Sequence, residues 1–239
     1  MELNKIILGD CFRVMKDIPD GSIDLIVTDP PYVVTRQHDG GKMFTEKKLD
    51  DYYTHLENAN LCTGYDIKQF ANEVMRLQGG KVNAYIWCNK AQIPVYFDMY
   101  VGKFGCKFEI ICWHKQNALP TFSNKYLTDT EYCLYFHTGG FTRPKCYEDA
   151  RTYEVSYINH ADKKRWKHPT IKPVGLMQRF IRNSSKEGDT VLDPFIGSGT
   201  TAVACIRENR NYIGIENNEE YFKTACERVK LEQQKLRLF

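Results

Sequence analysis

The sequence predicts a doubly wound α/β domain with a mostly parallel sheet, and three observations lead there. Short apolar runs alternate with segments of helical period in both halves of the chain. Two of those runs stop at an acidic residue followed by proline or glycine, and open α/β sheets gather their polar groups at that edge. At 239 residues, 42% hydrophobic and 26% charged, the chain is long enough for one large core and has no internal repeat or low-complexity tract. A less regular stretch in the second half adds a small insert, so residues 1–239 are expected to form a single catalytic domain.

Lys5-Ile6-Ile7-Leu8 is a buried-strand candidate that stops at Gly9-Asp10, and residues 11–18 allow one or two helical turns before Pro19-Asp20-Gly21. Ile23–Thr28 reads as a strand running into Asp29-Pro30-Pro31-Tyr32. The polar segment from Val33 to about Asn60, with Gly40-Gly41, reads as a long mobile loop. From Asp66, the residues Ile67, Phe70, Ala71, Val74 and Met75 share a helical face, and Gly79-Gly80 ends it. Val82–Cys88, Phe108–Trp113 and Tyr132–His137 are strand candidates, and 91–104 is a helix with Pro94 near its start. The pattern weakens from Thr138 to His168. It returns after Pro173 with a helix, then strand Thr190–Leu192, helix Thr200–Arg207, strand Tyr212–Ile215 and helix Glu219–Gln233.

Composition narrows the function classes. A formal charge of +3 permits a local nucleic-acid patch without demanding one. Nine Cys lack any C-x-x-C pair and six His lack metal-ligand spacing, so no metal is expected. The odd cysteine count without a framework reads as reduced thiols in the cytoplasm. No apolar stretch reaches the length of a membrane span, and Met1–Lys5 does not resemble a targeting segment.

Asp193-Pro194-Phe195-Ile196-Gly197-Ser198-Gly199-Thr200-Thr201 joins a strand to a helix through a glycine loop. Gly197 and Gly199 allow close backbone approach to a ligand, and Glu216, ending the next strand, is placed to accept hydrogen bonds from ribose hydroxyls. Gly197-x-Gly199-x-x-Ala202 also fits a looser nicotinamide-dinucleotide fingerprint. The intervening Asp193-Pro194-Phe195 favours a methyl donor instead: the acid suits an amino group, and the aromatic face suits a sulfonium.

Asp29-Pro30-Pro31-Tyr32 suits chemistry at an exocyclic amine, whose lone pair is delocalised into its ring. The Asp29 carboxylate and the Pro30 carbonyl would each accept an amine hydrogen, which favours tetrahedral nitrogen and stabilises the charge that develops there. The two prolines stiffen the corner. Tyr32 offers a ring for stacking on a base removed from a duplex.

These two motifs, in this order, resemble the beta group of amino DNA methyltransferases. Gly9-Asp10-Cys11 is similar to the family's acid that contacts the donor's adenine ring. Trp113-His114-Lys115 and Glu131-Tyr132 look like sheet motifs around the target pocket. His168-Pro169-Thr170-x-Lys172-Pro173 resembles the segment that closes over the methionine end. The resemblance implies a Rossmann-like methyltransferase sheet and S-adenosylmethionine as donor. It places Asp29, Pro30, Pro31 and Tyr32 at the catalytic site. Asp10, Cys11, Thr170, Lys172, Asp193, Pro194, Phe195, Gly197, Ser198, Gly199, Thr200, Thr201 and Glu216 fall at the cofactor site. Asp in first position of the tetrapeptide points to adenine N6, with cytosine N4 as the alternative. The absence of a Pro-Cys pair disfavours cytosine C5 chemistry. A catalytically silent DNA-binding subunit of the same fold is a further alternative, opposed by the intact motifs.

DNA is the expected partner. Lys163, Lys164 and Arg165 around Trp166, with Lys167, would hold phosphates, although a solvated basic face explains them equally well. Arg36, Lys42, Lys47 and Lys48 in the early loop would act similarly. The stretch 138–167 is the candidate target-recognition insert. The resemblance leaves room for a homodimer and for a cognate restriction endonuclease, neither of which any residue pattern specifies.

Overall fold

The strand that opens the chain lies beside the one that closes it. The computed structural model describes residues 2–32, 64–118, 126–139 and 142–236. Eight strands form one sheet: β1 (Lys5–Leu8), β2 (Leu25–Thr28), β3 (Asn83–Cys88), β4 (Lys107–Lys115), β5 (Thr130–His137), β6 (Tyr153–Ser156), β7 (Thr190–Asp193) and β8 (Asn211–Glu216). Their order across the sheet is β1-β8-β7-β2-β3-β5-β4-β6. All neighbouring pairs are parallel except those made by β5, which runs against both β3 and β4. The reversal has a consequence at the functional edge. It brings the first residues of β5 level with the carboxyl ends of β3 and β4, with Tyr132 opposite Cys88 and Glu131 opposite Trp113.

The helices are α1 (Cys11–Met15), α2 (Ile67–Leu77), α3 (Ile93–Phe97), α4 (His160–Trp166), α5 (Val174–Ser184), α6 (Thr200–Arg207) and α7 (Glu219–Leu236). Asp66 starts α2 as expected for an N-cap, accepting from the Gln69 backbone N–H at 2.9 Å. The expected helix over 91–104 divides into α3 and a wider π turn at Asp98–Lys103.

The central strands are apolar on both faces, so they read as continuous hydrophobic runs. On β3, Ala84, Ile86 and Cys88 face a cluster with Phe70 and Val74 of α2 and Tyr96 of α3. Tyr85 and Trp87 face the opposite cluster with Leu176, Met177 and Phe180 of α5 and Ala202 of α6. Phe180 stacks on Tyr85 with ring centroids 4.4 Å apart and planes 3° from parallel. Such a pair contributes about 0.5–1.5 kcal/mol beyond the area it buries.

Two expectations for the less regular regions need revision or fall outside view. The stretch 138–167 is not irregular throughout, because Tyr153–Ser156 forms the edge strand β6 and His160–Trp166 forms α4. An edge strand of four residues, alternating exposed and half-buried, leaves little hydrophobic signal. The expected loop at 33–60 lies outside the described residues. No described helix is long and apolar enough to cross a membrane, and no described group of His, Cys, Asp and Glu is arranged to hold a metal.

Candidate active site

Neighbouring strands β2 and β7 deliver the two sequence motifs to one edge. Asp29 follows β2, and Asp193 closes β7. Asp193 ties the two strands to the start of α6: the Thr28 hydroxyl donates to its Oδ1 at 2.7 Å and the Thr201 hydroxyl to its Oδ2 at 2.6 Å. The Phe195 backbone N–H adds a third bond at 3.1 Å. Burial pushes the Asp193 carboxyl up to about 7, against the pull of the hydroxyl donors.

Glu216, at the end of β8, accepts from the backbone N–H groups of Gly197 at 2.9 Å and Asn218 at 2.8 Å. It too is raised from the ordinary carboxylate range, by burial. Asp10 caps α1 by accepting from the Arg13 N–H at 2.9 Å, and Cys11 beside it is buried.

The glycines of the loop are required for different reasons. Gly197 has φ +52°, and a Cβ there would stand 2.9 Å from Nε2 of the buried His168. Gly199 has φ +83°, and its Cβ would meet Ala225 of α7 at 3.2 Å. Gly199 therefore answers to helix packing as well. Arg228 braces the loop from α7, donating to the Ser198 hydroxyl at 3.1 Å and the Thr200 hydroxyl at 3.0 Å.

One cavity is lined by Asp29, Pro31, Thr170, Lys172, Asp193, Phe195, Gly197, Ser198, Thr200, Thr201 and Glu216, among others. A second, lined by Asp10, Cys11, Phe12, Tyr65 and Pro194, shares Pro31, Phe195, Glu216 and Asn217 with the first. Together they form a two-part groove, polar beside the glycine loop and aromatic beside α1. Phe195 stands at the junction, with Tyr65 edge-on to it at 5.1 Å. Nothing in the sequence singled out Tyr65, which lies just after the segment read as a loop.

The tetrapeptide corner is charged. Tyr32 donates its hydroxyl to Asp29 Oδ1 at 2.7 Å, and Lys172 Nζ lies 2.5 Å from Asp29 Oδ2. Lys172 also reaches Glu131 Oε2 at 3.0 Å, and Lys115 reaches Glu131 Oε1 at 3.1 Å. Burial raises Asp29 from the usual carboxylate range and the lysine opposes it. At Glu131 burial acts in the same direction, but the two lysines outweigh it and hold the group at about 2. The sequence placed Lys172 with the donor's methionine end; it lines the cavity beside the glycine loop, and its ammonium is held by the two acids. Pro30 is buried and does not line the cavity, whereas Pro31 does and its carbonyl accepts from Gln92 Nε2 at 3.2 Å.

The basic run behaves unevenly. Lys164 and Arg165 are exposed, Lys163 is half-buried, and Trp166 is buried. The Trp166 ring faces the guanidinium groups of Arg165, at 4.7 Å, and Arg228, at 5.5 Å. Trp166 is thus a packing residue between cations. Arg36, Lys42, Lys47 and Lys48 lie outside the described residues.

A family model described as DNA methylase, N6_N4_Mtase, matches residues 23–227. Type II methyltransferase M2.DpnII of Streptococcus pneumoniae is 32% identical over 252 residues, covering 97% of this chain and 92% of that protein. Type II methyltransferase M.HpaI of Haemophilus parainfluenzae is 30% identical over 246 residues, covering 94% of this chain and 74% of that protein. Among solved structures, the M1.HpyAVI–SAM complex superposes with a TM-score of 0.69 at 27% identity, covering 94% of this chain and 98% of that one. The cytosine-N4-specific PvuII DNA methyltransferase has the same fold, with a TM-score of 0.68 at 17% identity over 97% of this chain and 91% of that one. An acidic corner and a glycine loop that share one cavity, on a sheet of this order, agree with these matches: the chain belongs to the N6/N4 DNA methylase family and is a beta-group amino DNA methyltransferase.

Proposed function

We propose that this enzyme methylates adenine N6 in DNA, with Asp29 accepting a hydrogen of the amine and S-adenosylmethionine as the donor. The observation that carries this reading is that Asp29 and the Gly197 loop line the same cavity. The donor's chemistry fits the residues there. Asp193 and Glu216 are buried carboxylates held by hydroxyl and backbone N–H donors, and among the described residues neither is paired with a lysine or arginine. Two acids without a cation suit a ligand that brings positive charge. Glu216, Ser198, Thr200 and Thr170 would hold its polar parts, and Phe12, Tyr65 and Phe195 its flat ring. When bound, S-adenosylmethionine supplies a methyl group activated by its sulfonium.

The chain's own residues then act on the amine. Asp29 accepts one N–H and draws the nitrogen toward tetrahedral geometry. Its negative charge stabilises the positive charge that builds on nitrogen as the new bond forms. The same carboxylate is placed to take the proton that the methylated nitrogen releases. Pro31 keeps the corner rigid, and the Tyr32 ring forms one wall beside the reacting group. The Asp at the head of the tetrapeptide supports adenine over cytosine N4.

The chain is read as a single catalytic domain, with Lys164 and Arg165 in the 138–167 stretch supporting DNA contact there. Homodimer formation and a restriction endonuclease partner are further proposals, prompted by the Type II relatives. The test is direct: protein, labelled donor and mixed-sequence DNA are incubated, and the modified base is identified by mass. N6-methyladenine is expected, whereas N4-methylcytosine would replace the base assignment. Asp29→Ala is expected to retain donor binding and lose about 10²–10³-fold in turnover, the loss typical of removing one preorganised transition-state partner. Normal turnover in that variant would remove Asp29 from the mechanism.

A further inference from the structure

We propose that Lys172 is a positioning residue that holds Asp29 as an oriented anionic acceptor, and that Glu131, itself anchored by Lys115, tunes how firmly it does so. The proposal rests on the reading that Asp29 accepts the amine. It assigns work to Lys115 and Glu131, which line neither part of the groove, and to Lys172, which lines the donor cavity with its ammonium on two protein acids.

The geometry is a row of alternating charges along the sheet edge. Asp29 follows β2, Glu131 lies at the start of β5, and Lys115 ends β4. Lys172, in the segment before α5, bridges the first two: Nζ is 2.5 Å from Asp29 Oδ2 and 3.0 Å from Glu131 Oε2. Its side chain is 3% exposed. Above it, Nζ faces the Trp87 ring at 5.0 Å and the Tyr32 ring at 5.7 Å. Lys115 closes the row on Glu131 Oε1 at 3.1 Å. The four formal charges cancel.

This arrangement answers a chemical problem. A buried carboxyl tends to take up a proton, and a protonated acid has lost the charge that would stabilise the methylated amine. Lys172 opposes that protonation from one oxygen, and the Tyr32 hydroxyl binds the other. The two donors together fix the carboxylate plane and leave further lone-pair positions for an amine hydrogen. Glu131 divides the attention of Lys172, and Lys115 compensates Glu131 in turn. A plain ionic clasp between β2, β5 and the segment before α5 would hold these strands together without bearing on protonation. The two roles separate through pH.

Among the described residues, the other titratable groups facing the row include Tyr32, Cys88, Tyr96, Cys133, Asp193 and Lys163. Burial raises Tyr32, Cys88 and Cys133 above their ordinary values, so they stay neutral near neutrality. Burial lowers Lys163 and raises Asp193 to about 7. For Asp29, burial raises the titration, Lys172 lowers it and Glu131 raises it. Opposite shifts follow for the two partners.

The experiment measures kcat/KM for DNA against pH, and donor affinity by calorimetry, in full-length protein. Lys172→Gln should move the acid limb to higher pH and cut kcat by about 10²-fold or more, in keeping with loss of electrostatic preorganisation. Glu131→Gln should move the limb to lower pH with a far smaller effect on kcat. Lys172→Arg, which keeps the charge, should recover the wild-type direction in part. Donor affinity should change far less than kcat: Lys172 lines the donor cavity, but its ammonium binds two protein acids. Shifts of the same sign, no shift, or a loss confined to donor affinity would overturn the proposal. If Lys172→Gln does not fold, Glu131→Gln decides alone, since it leaves the Asp29–Lys172 pair intact. An active Asp29→Ala enzyme would refute the reading of Asp29 itself. An inactive Asp29→Ala enzyme with an unmoved acid limb in the Glu131 and Lys172 variants would refute only the role given to Lys172.

Discussion

Two acidic corners lie at one sheet edge, and they are neutralised in opposite ways. At the loop corner, Asp193 and Glu216 are held by two threonine hydroxyls and backbone N–H groups, all neutral. At the tetrapeptide corner, Asp29 and Glu131 are held mainly by two lysines. Neutral donors satisfy lone pairs but leave the net charge in place, so the first corner favours a positively charged ligand. Lysines cancel the charge, so the second corner is set before any ligand arrives and its field is oriented, not merely negative. The difference divides recognition from chemistry between strands that touch.

The sharpest way to break this division is to close the loop corner. Gly197→Val forces a β-branched residue to φ +52° with its Cβ 2.9 Å from the His168 ring. The backbone strain should cost about 1–3 kcal/mol of stability. Donor affinity should fall by at least about 100-fold, as close backbone approach is lost. Thermal melts and calorimetric titration with the donor would check both. Unchanged affinity would show that the ligand does not lie against this loop.

A subtler change alters charge and leaves shape alone. Asp193 titrates at about 7 in the fold against 3.8 for a free group. A raised carboxyl favours the folded protein fully below about pH 4, and that contribution is lost as pH rises through about 7. Asp193→Asn should therefore flatten the fall in melting temperature of the unliganded protein across this window. It should also weaken donor binding by about tenfold through loss of a buried anion opposite a cationic ligand. One threonine hydroxyl would have to turn and accept from the new amide nitrogen. A uniform loss of stability at every pH would mean that Asp193 serves only as a hydrogen-bond hub.

Much of this was legible in the sequence because both motifs are contiguous. Asp29–Tyr32 and Asp193–Thr201 each carry strand end, turn and acid in a single run, so their placement at one edge follows from the alternation of strands and helices. The tetrapeptide's ionic partners were another matter. The resemblance places Glu131 and Lys115 at the target pocket and Lys172 with the donor, but their union depends on β5 running backward. Hydrophobic patterning does not encode strand direction. Trp166 misled for a related reason. A tryptophan inside Lys163-Lys164-Arg165-Trp166-Lys167 looks like a basic surface, yet the helix turns it inward against Arg228, a cation distant in sequence.

The smallest expected effect tests a neutral donor to Asp29. Tyr32 gives Asp29 Oδ1 a hydrogen bond at 2.7 Å, and its ring also faces the Lys172 ammonium at 5.7 Å. Tyr32→Phe keeps the ring and removes the hydroxyl. Burial raises the phenol well above its usual value, so it acts only as a donor near neutrality and its loss changes no formal charge. If the lysines dominate this corner, turnover should fall only about two- to tenfold, in line with about 0.5–1.5 kcal/mol for one neutral hydrogen bond. The acid limb of the pH profile should move slightly upward, because Asp29 loses a bond to its charged form. Single-turnover rates with saturating donor would read the first effect and the same assay across pH the second. A loss as large as that of Asp29→Ala would show that the hydroxyl, and not the lysine, orients the carboxylate, and the contrast between the two corners would fail.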